Sequence, residues 1–409
     1  MNRSPRSNVR RLAIGRLISV TGGAAAYTAL MFGIWNGTHS AAWQSFALLL
    51  TFGATGLLAP LTGHLGDRFD RRKVMVWSEA LSAAFYAVMA AAHAPLPLIL
   101  LAFASAVTES PFWSSSAAAI PNLVQTEDDI SWANGLVGVG RNAGIMVGPM
   151  IGGVLVAAIG RSGPSWVFGL NAVTFVISIL LTLSVHADFA GKRTQEEEEA
   201  HRGIGAGVRF IWNERVIRRM MLAWLVFLLG AGMGMVADAP LAEHFNAGSV
   251  GFGLIITCWG GGSVLGSLLG RKLTVRTEPL WLVLGAAGIA VGHFGVGTAP
   301  ALVAVLVFGL IMGTGDGLTI VAEQGIMQRR TPDAVRSRVM AAFDAVLSLG
   351  LAVAYVFAGP VLNALGAQGV YLVGGVTATA ATLVLLPMLR IKDGVSADAM
   401  ATQQVGLEA

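Results

Sequence analysis

Long apolar runs alternate with short polar ones along almost the whole chain. Runs of about 20 residues or more fall near 12–35, 41–62, 74–93, 96–121, 131–159 and 165–186. After a polar stretch they resume near 219–242, 250–270, 279–298, 300–326, 337–364 and 368–389. A helix of that length crosses the roughly 30 Å hydrocarbon core of a bilayer. The pattern therefore predicts an all-α integral membrane protein with 12 transmembrane helices. They divide into an N-terminal six-helix bundle over 1–186 and a C-terminal one over 219–390. Between them, 187–218 contains KRTQEEEE and WNERVIRR and reads as a solvated cytoplasmic loop; 391–409 reads as a cytoplasmic tail.

The halves repeat one another weakly. QTEDDISWANG at 125–135 aligns without gaps to TPDAVRSRVMA at 331–341, and the same shift carries GGVLVAAIG at 152–160 onto AGPVLNALG at 358–366. Two related six-helix halves are the architecture expected of a transporter whose site lies between repeats.

Composition sharpens this picture. The chain is 55% hydrophobic and 12% charged, about half the charged fraction of soluble domains. Cys258 is the single cysteine, which excludes an intramolecular disulfide and a Cys-rich metal site. The N-terminal MNRSPRSNVRR is basic, but the apolar run behind it is too long for a signal-peptide core, so the first span is expected to remain uncleaved. Of 27 Lys and Arg, all but Arg16, Arg141 and Arg161 fall in segments that share one side when both termini are cytoplasmic. That bias sets the orientation. The net charge of +4 then belongs to the membrane surface and implies no nucleic-acid partner.

GLVGVGRNAGIMVGPMIGG at 135–153 is costly as a water-soluble helix, because each interior Gly costs about 0.8–1.0 kcal/mol against Ala and Pro about 3. In lipid, Gly140, Gly144, Gly148 and Gly152, four residues apart, make a ridge for close helix contact. Gly262, Gly266 and Gly270 repeat the pattern in span eight.

This stretch resembles the antiporter signature of the major facilitator superfamily, G-x8-G-x3-G-P-x2-G-G, through Gly135, Gly144, Gly148, Pro149, Gly152 and Gly153. In that family the signature marks exporters. A second motif, GHLGDRFDRRKV at 63–74, resembles the family's G-x-L-x-D-R-x-G-R-[RK] loop at Gly63, Leu65, Asp67, Arg68, Arg71 and Arg72, with Asp70 in place of the second glycine. The resemblance implies a cytoplasmic latch in which Asp67 meets a helix N-terminus near Ser337. It also implies that helices five and eight meet, so the two glycine ridges are expected to form a sliding seam. AAIPNLVQTEDDISWANGL (118–136) and QRRTPDAVRSRVMAAFD (328–344) are similar to loops of the drug–proton antiporter branch that includes macrolide, tetracycline and siderophore exporters. TGG at 21–23 stands where that branch often has an acid in its first helix.

Ionisable groups inside spans are functional candidates. Spans one, four, seven and ten line the cavity in the resembled fold and hold Arg16, Glu109, Asp238, Asp316 and Glu323. At about 1.5 Å per residue, Glu109, Arg141 and Asp316 fall near the midplane, Arg16 and Glu323 near the inner surface and Asp238 near the outer one. Asp344 falls about a third of the way in. Glu109 and Arg141 are expected to pair, either as a structural ion pair or as a proton carrier and its modulator. Asp316 has no cation in its own span and is an equal coupling candidate, with a structural role as its alternative. Asp238, which precedes Pro240, is a further coupling candidate, with helix capping or gating as its alternative. Glu79 is assigned to the cytoplasmic charge cluster, and His293 to packing or an interface.

Tyr27, Phe32, Phe112 and Trp113 beside these acids suit an amphiphilic, often cationic small molecule, with Arg16 and Asp344 as further cavity candidates. Lipid or packing contact is the alternative for each ring. There is no Walker loop, HExxH or Cys/His cluster. No cofactor or metal is expected, and a proton gradient is the expected energy source. The expectation is a non-enzymatic, proton-coupled efflux antiporter for drug-like or amphiphilic compounds. It is placed as a monomer in the lipid bilayer of the bacterial cytoplasmic (inner) membrane. The alternatives are a lipid or lysolipid flippase or scramblase, and a metabolite symporter of the same fold.

Overall fold

A computed structural model describes residues 5–56, 58, 69–124, 127–185, 189 and 204–390. Among them there is no strand; helices fall on all of the spans expected from the apolar pattern. The first half holds α1 (Pro5–Thr38), α2 (Ala41–Leu48, running on as a π-turn over Leu49–Ala54), α3 (Arg71–Met89), α4 (Pro95–Leu123), α5 (Glu127–Ile159) and α6 (Gly163–Leu183). A short α7 (Ile204–Asn213) follows. Then come α8 (Arg215–His244), α9 (Gly248–Gly270), α10 (Glu278–Gly297), α11 (Leu302–Arg330) and α12 (Asp333–Leu385).

Among the described residues, eight continuous stretches are long and apolar enough to cross a membrane. Two of them, 132–183 and 338–390, each contain a break at a left-handed glycine: Gly160 at φ +76° and Gly366 at φ +70°. A side chain in that region costs roughly 1–2 kcal/mol, which glycine avoids. These two residues are the last of the aligned repeats GGVLVAAIG and AGPVLNALG, so the weak sequence repeat has a matching backbone event in each half.

The faces turned outward confirm what solvent the helices expect. Trp77, Trp166, Leu180, Val303 and Leu383 are each 60% or more exposed. Apolar surface on this scale is found where lipid, not water, covers it.

The chain forms two compact units, Met1–Lys192 with Asp238–Thr257, and Arg193–Ala237 with Cys258–Ala409. In the first, α1 packs against α5 and α6, and α3 against α4 and α6. The segment 238–257, which ends α8 and begins α9, belongs to this unit. In the second, α10 packs against α11 and α12, and α7 lies along α12. Phe210, Ile211, Ile217, Met220, Ala342 and Phe343 are part of its buried cluster. Glu214, between α7 and α8, accepts from Ile217 N at 2.6 Å and pairs with Arg330 at 3.2 Å, which fixes the entry to α8.

The glycine ridges do not form the expected sliding seam. A Cβ at Gly140 would lie 2.9 Å from Ala13 O, one at Gly144 2.9 Å from Val20 Cγ1, and one at Gly148 2.6 Å from both Ala24 Cβ and Thr21 O. Gly152 meets Ala25 in the same way. This ridge is therefore the seat of α1, within one unit. The Gly262, Gly266 and Gly270 ridge seats α11 at Leu310, Thr314 and Val321. A stripe of glycines specifies close approach without naming its partner. The motif does reach α9, but through other residues: Ser249 Oγ donates to Gly153 O at 2.8 Å, and Gly253 faces Pro149 O.

Candidate functional site

In the first unit, four ionisable intramembrane side chains, Arg16, Glu79, Glu109 and Arg141, converge from α1, α3, α4 and α5. Arg16 enters from α1, 4% exposed. Its guanidinium lies over the Phe112 ring at 3.8 Å and the Trp113 ring at 4.1 Å. Aromatic faces attract a cation electrostatically and shield it from lipid. Glu79, Glu109 and Arg141 are all within electrostatic reach of Arg16. Glu109 Oε1 accepts from Ser105 Oγ, one turn earlier on α4, at 3.0 Å. Glu79 is 1% exposed and accepts from Ser178 Oγ of α6 at 2.5 Å.

Two expectations change here. Glu109 and Arg141 form no ion pair among the described residues; Arg141 is exposed, with its guanidinium 5.2 Å from the Trp113 ring. The cation that α4 encloses is Arg16, which reaches the cluster instead of remaining at the inner surface. The second change concerns Glu79, which depth counting assigned to the cytoplasmic charge cluster. The available signal was helical phase: Met75, Ser78, Glu79, Ser82 and Ala83 make the buried face of α3.

The aromatic rings also hold a surprise. The faces of Phe112 and Trp113, expected to receive a ligand cation, carry the protein's own guanidiniums. Tyr27 stands apart from this cluster, edge-on to Phe52 at 5.9 Å and tilted against Phe252 at 6.4 Å. Phe32 is half-buried on α1.

In the second unit the charges are acidic. Asp316 Oδ2 accepts from Ser263 Oγ of α9 at 3.1 Å. Glu323, two turns on, lies beside the Trp224 indole and within electrostatic range of Asp316 and Asp344. Asp344 is exposed on α12. No ion pair involves these three among the described residues. Asp238 is buried on α8, which continues through Pro240 to His244, so it does not cap the end of its own helix. His293 is a packing residue as expected, its Nδ1 2.9 Å from Ile289 O and its ring between Phe227 and Tyr371.

Of the latch residues, Gly63, Asp67 and Arg68 lie outside the described residues. Arg72 Nη2 donates to Leu183 O, tying α3 to the end of α6. Arg71 opens α3. Asp70, in the place of the signature's second glycine, has φ −56° and caps α3 by accepting from Lys73 N at 2.9 Å. A capping carboxylate needs no left-handed backbone, which is how the substitution is tolerated. Gly135, the first glycine of the antiporter signature, has open space where a Cβ would go.

Comparison with known proteins bears on this arrangement. The multidrug efflux pump Tap of Mycobacterium tuberculosis is 26% identical over 359 residues, covering 81% of this chain and 82% of its own. The enterobactin exporter EntS of Escherichia coli is 25% identical over 339 residues, covering 81% and 79%. Among solved structures, a bacterial homologue of the iron transporter ferroportin in its inward-facing state aligns with TM-score 0.73 at 16% identity, over 95% of this chain and 100% of that one. The nucleoside transporter NupG aligns with TM-score 0.70 at 14% identity, over 94% and 100%. At these identities the structures speak to the fold alone. The family model for the Major Facilitator Superfamily matches residues 12–241 and 232–403. With that match across nearly all of a multi-pass, all-helical chain, this protein belongs to the Major Facilitator Superfamily, a family of transporters and not of enzymes.

Proposed function

We propose that the chain is a proton-coupled antiporter that exports drug-like or amphiphilic small molecules by alternating access. Its proposed setting is the bacterial cytoplasmic membrane, as a monomer with both termini inside. The observation that carries the proton-coupled reading is a positional one. Glu109 stands fourteen residues into α4, and Asp316 fourteen residues into α11; both helices are 29 residues long. Each acid therefore occupies the middle of its helix, where an ionised carboxylate is expensive in lipid. Each also has a serine hydroxyl as partner, a group that can donate to a carboxylate and accept from a carboxylic acid. Such a pair of sites can bind and release protons without rebuilding the surroundings.

The exporter relatives support the direction of transport, and the complete antiporter signature at 135–153 points the same way. For the substrate, Arg16 and Arg141 already cover the rings beside Glu109. A cationic end is better received by the acidic second unit, at Asp316, Glu323 and Asp344.

The test is proton release from acidified inside-out vesicles on adding tetraphenylphosphonium or a macrolide. Release in the intact protein, diminished in Glu109→Gln and in Asp316→Asn, is expected. Release unaffected by either variant excludes that residue as a carrier. Transport of a lipid probe with no proton movement replaces this reading with a scramblase, and accumulation in place of extrusion replaces it with a symporter.

A further inference from the structure

The role of Glu79 follows from counting the charges that α1, α3 and α4 enclose. Arg16 and Glu79 are almost wholly buried, and Glu109 is half-buried beside them. One guanidinium thus faces two carboxylates. From α6, the helix packed on the other side of α3, only the uncharged Ser178 reaches Glu79, and 163–183 contains no ionisable residue. On α3 itself Tyr86 lies two turns away, on the Glu109 side. Arg141, the remaining cation in reach of Arg16, is exposed and directed at Trp113.

The geometry leaves the pairing open in both directions. Among the described residues Arg16 closes an ion pair with neither acid, and its Nε has no hydrogen-bond partner. Glu79 Oε2 is likewise unpartnered, although its other oxygen is bonded. The Phe112 and Trp113 rings hold the guanidinium carbon at 3.8 and 4.1 Å, and no hydrogen bond among the described residues commits its N–H groups to either carboxylate. Buried charge without compensation is strongly unfavourable, so one cation can balance one carboxylate and the second must carry a proton. Two such acids titrate as a pair.

We propose that Glu79 and Glu109 share a single proton around Arg16, making Glu79 a second proton-coupling carboxylate of the first unit. When Arg16 turns to Glu109 the proton resides on Glu79; when it turns to Glu79 the proton passes to Glu109, the less buried of the two, which can exchange it with water. The use of this proton in transport rests on the antiport reading; the sharing itself does not.

Infrared difference spectra of the reconstituted protein at neutral pH, without substrate or gradient, read the carbonyl band of protonated carboxyls directly. Glu79→Gln and Glu109→Gln should each remove one carboxyl equivalent, and the double variant should remove no more than either alone. Arg16→Gln should add one equivalent, because both acids then take protons. Glu79→Asp should keep the band and confirm that the fold tolerates a change at this position. Additive losses, or a band untouched by Glu79→Gln, overturn the proposal. If Glu79→Gln does not fold, Arg16→Gln decides: a gain of one equivalent supports sharing and no gain ends it. Sharing retained in a protein whose vesicles move no protons would refute the antiport reading alone.

Discussion

At the residue scale, what a side chain does here is set by its helical phase and by who faces it. The glycines of 135–153 show this most plainly. Gly148 sits where a Cβ would be 2.6 Å from the Ala24 methyl and the Thr21 carbonyl, while Gly135 has open space. Gly148→Leu should therefore part α5 from α1 and destabilise the protein, by at least the 1–3 kcal/mol or so typical of overpacking. Gly135→Ala should be neutral or slightly stabilising. Thermal unfolding followed by size-exclusion fluorescence separates the two; a stable, transport-dead Gly148→Leu would restore the sliding-seam idea. The spacing of these glycines was legible in the sequence because it is periodic. Their partner was not, since a smooth ridge fits any smooth neighbour. Glu79 failed to read for a related reason. Its distance from the span's end was visible, but burial depends on α1, α4 and α6 closing over it, and only the phase of Met75, Ser78, Ser82 and Ala83 hinted at that.

At the element scale, helix ends carry the information. Gly160 and Gly366 break their helices with nearly the same positive φ, and neither has an atom within 4 Å of an added Cβ. The cost of Gly160→Ala or Gly366→Ala is then backbone strain alone, about 1–2 kcal/mol, and should be equal in the two units. A difference larger than that between their unfolding midpoints would mean the repeat is only apparent. A second device joins the ends of α1 and α8 inside the first unit. Trp35 Nε1 donates to Glu243 Oε2 at 2.5 Å, and His39 Nε2 lies 3.1 Å from Glu243 Oε1. His39 has a left-handed backbone at this point, φ +47°. Both partners are half-exposed, so the ionic part is weak, as surface pairs are. Glu243→Gln should lower stability by less than about 1 kcal/mol. Its larger effect is expected on the opening of this clasp, seen as faster hydrogen exchange around 35–39. Unchanged exchange there would reduce the contact to a surface decoration. The existence of these helices was readable from hydropathy; the repeat aligned Gly160 with Gly366 but did not show the backbone break there. The clasp was not, because nothing in the sequence places Glu243 beside Trp35, more than 200 residues away.

At the scale of the whole molecule, the two halves are alike in frame and unlike in charge. The frame places Glu109 and Asp316 at the same position of matched helices, yet the first unit sets its acid beside Arg16 and Glu79, whereas the charged groups linked to Asp316 among the described residues of the second are further acids, Glu323 and, through it, Asp344. Two proton sites in different fields should contribute separately to the driving force. A gradient-driven exchanger stops when the substrate gradient balances the proton gradient multiplied by the number of protons moved, so the balance point counts protons. Imposing a fixed pH gradient on proteoliposomes, with the membrane potential clamped at zero, and finding the tetraphenylphosphonium gradient at which net flux vanishes gives that count. If both sites are used in each cycle, Glu109→Gln and Asp316→Asn should each lower it by one, and the double variant should transport downhill without regard to pH. If instead only one variant changes the balance point, the other acid is a structural member of its helix, and coupling belongs to one half. Equal, undiminished balance points in both variants would remove intramembrane carboxylates at mid-helix from the coupling machinery and leave Glu323 and Asp238 as the groups to examine.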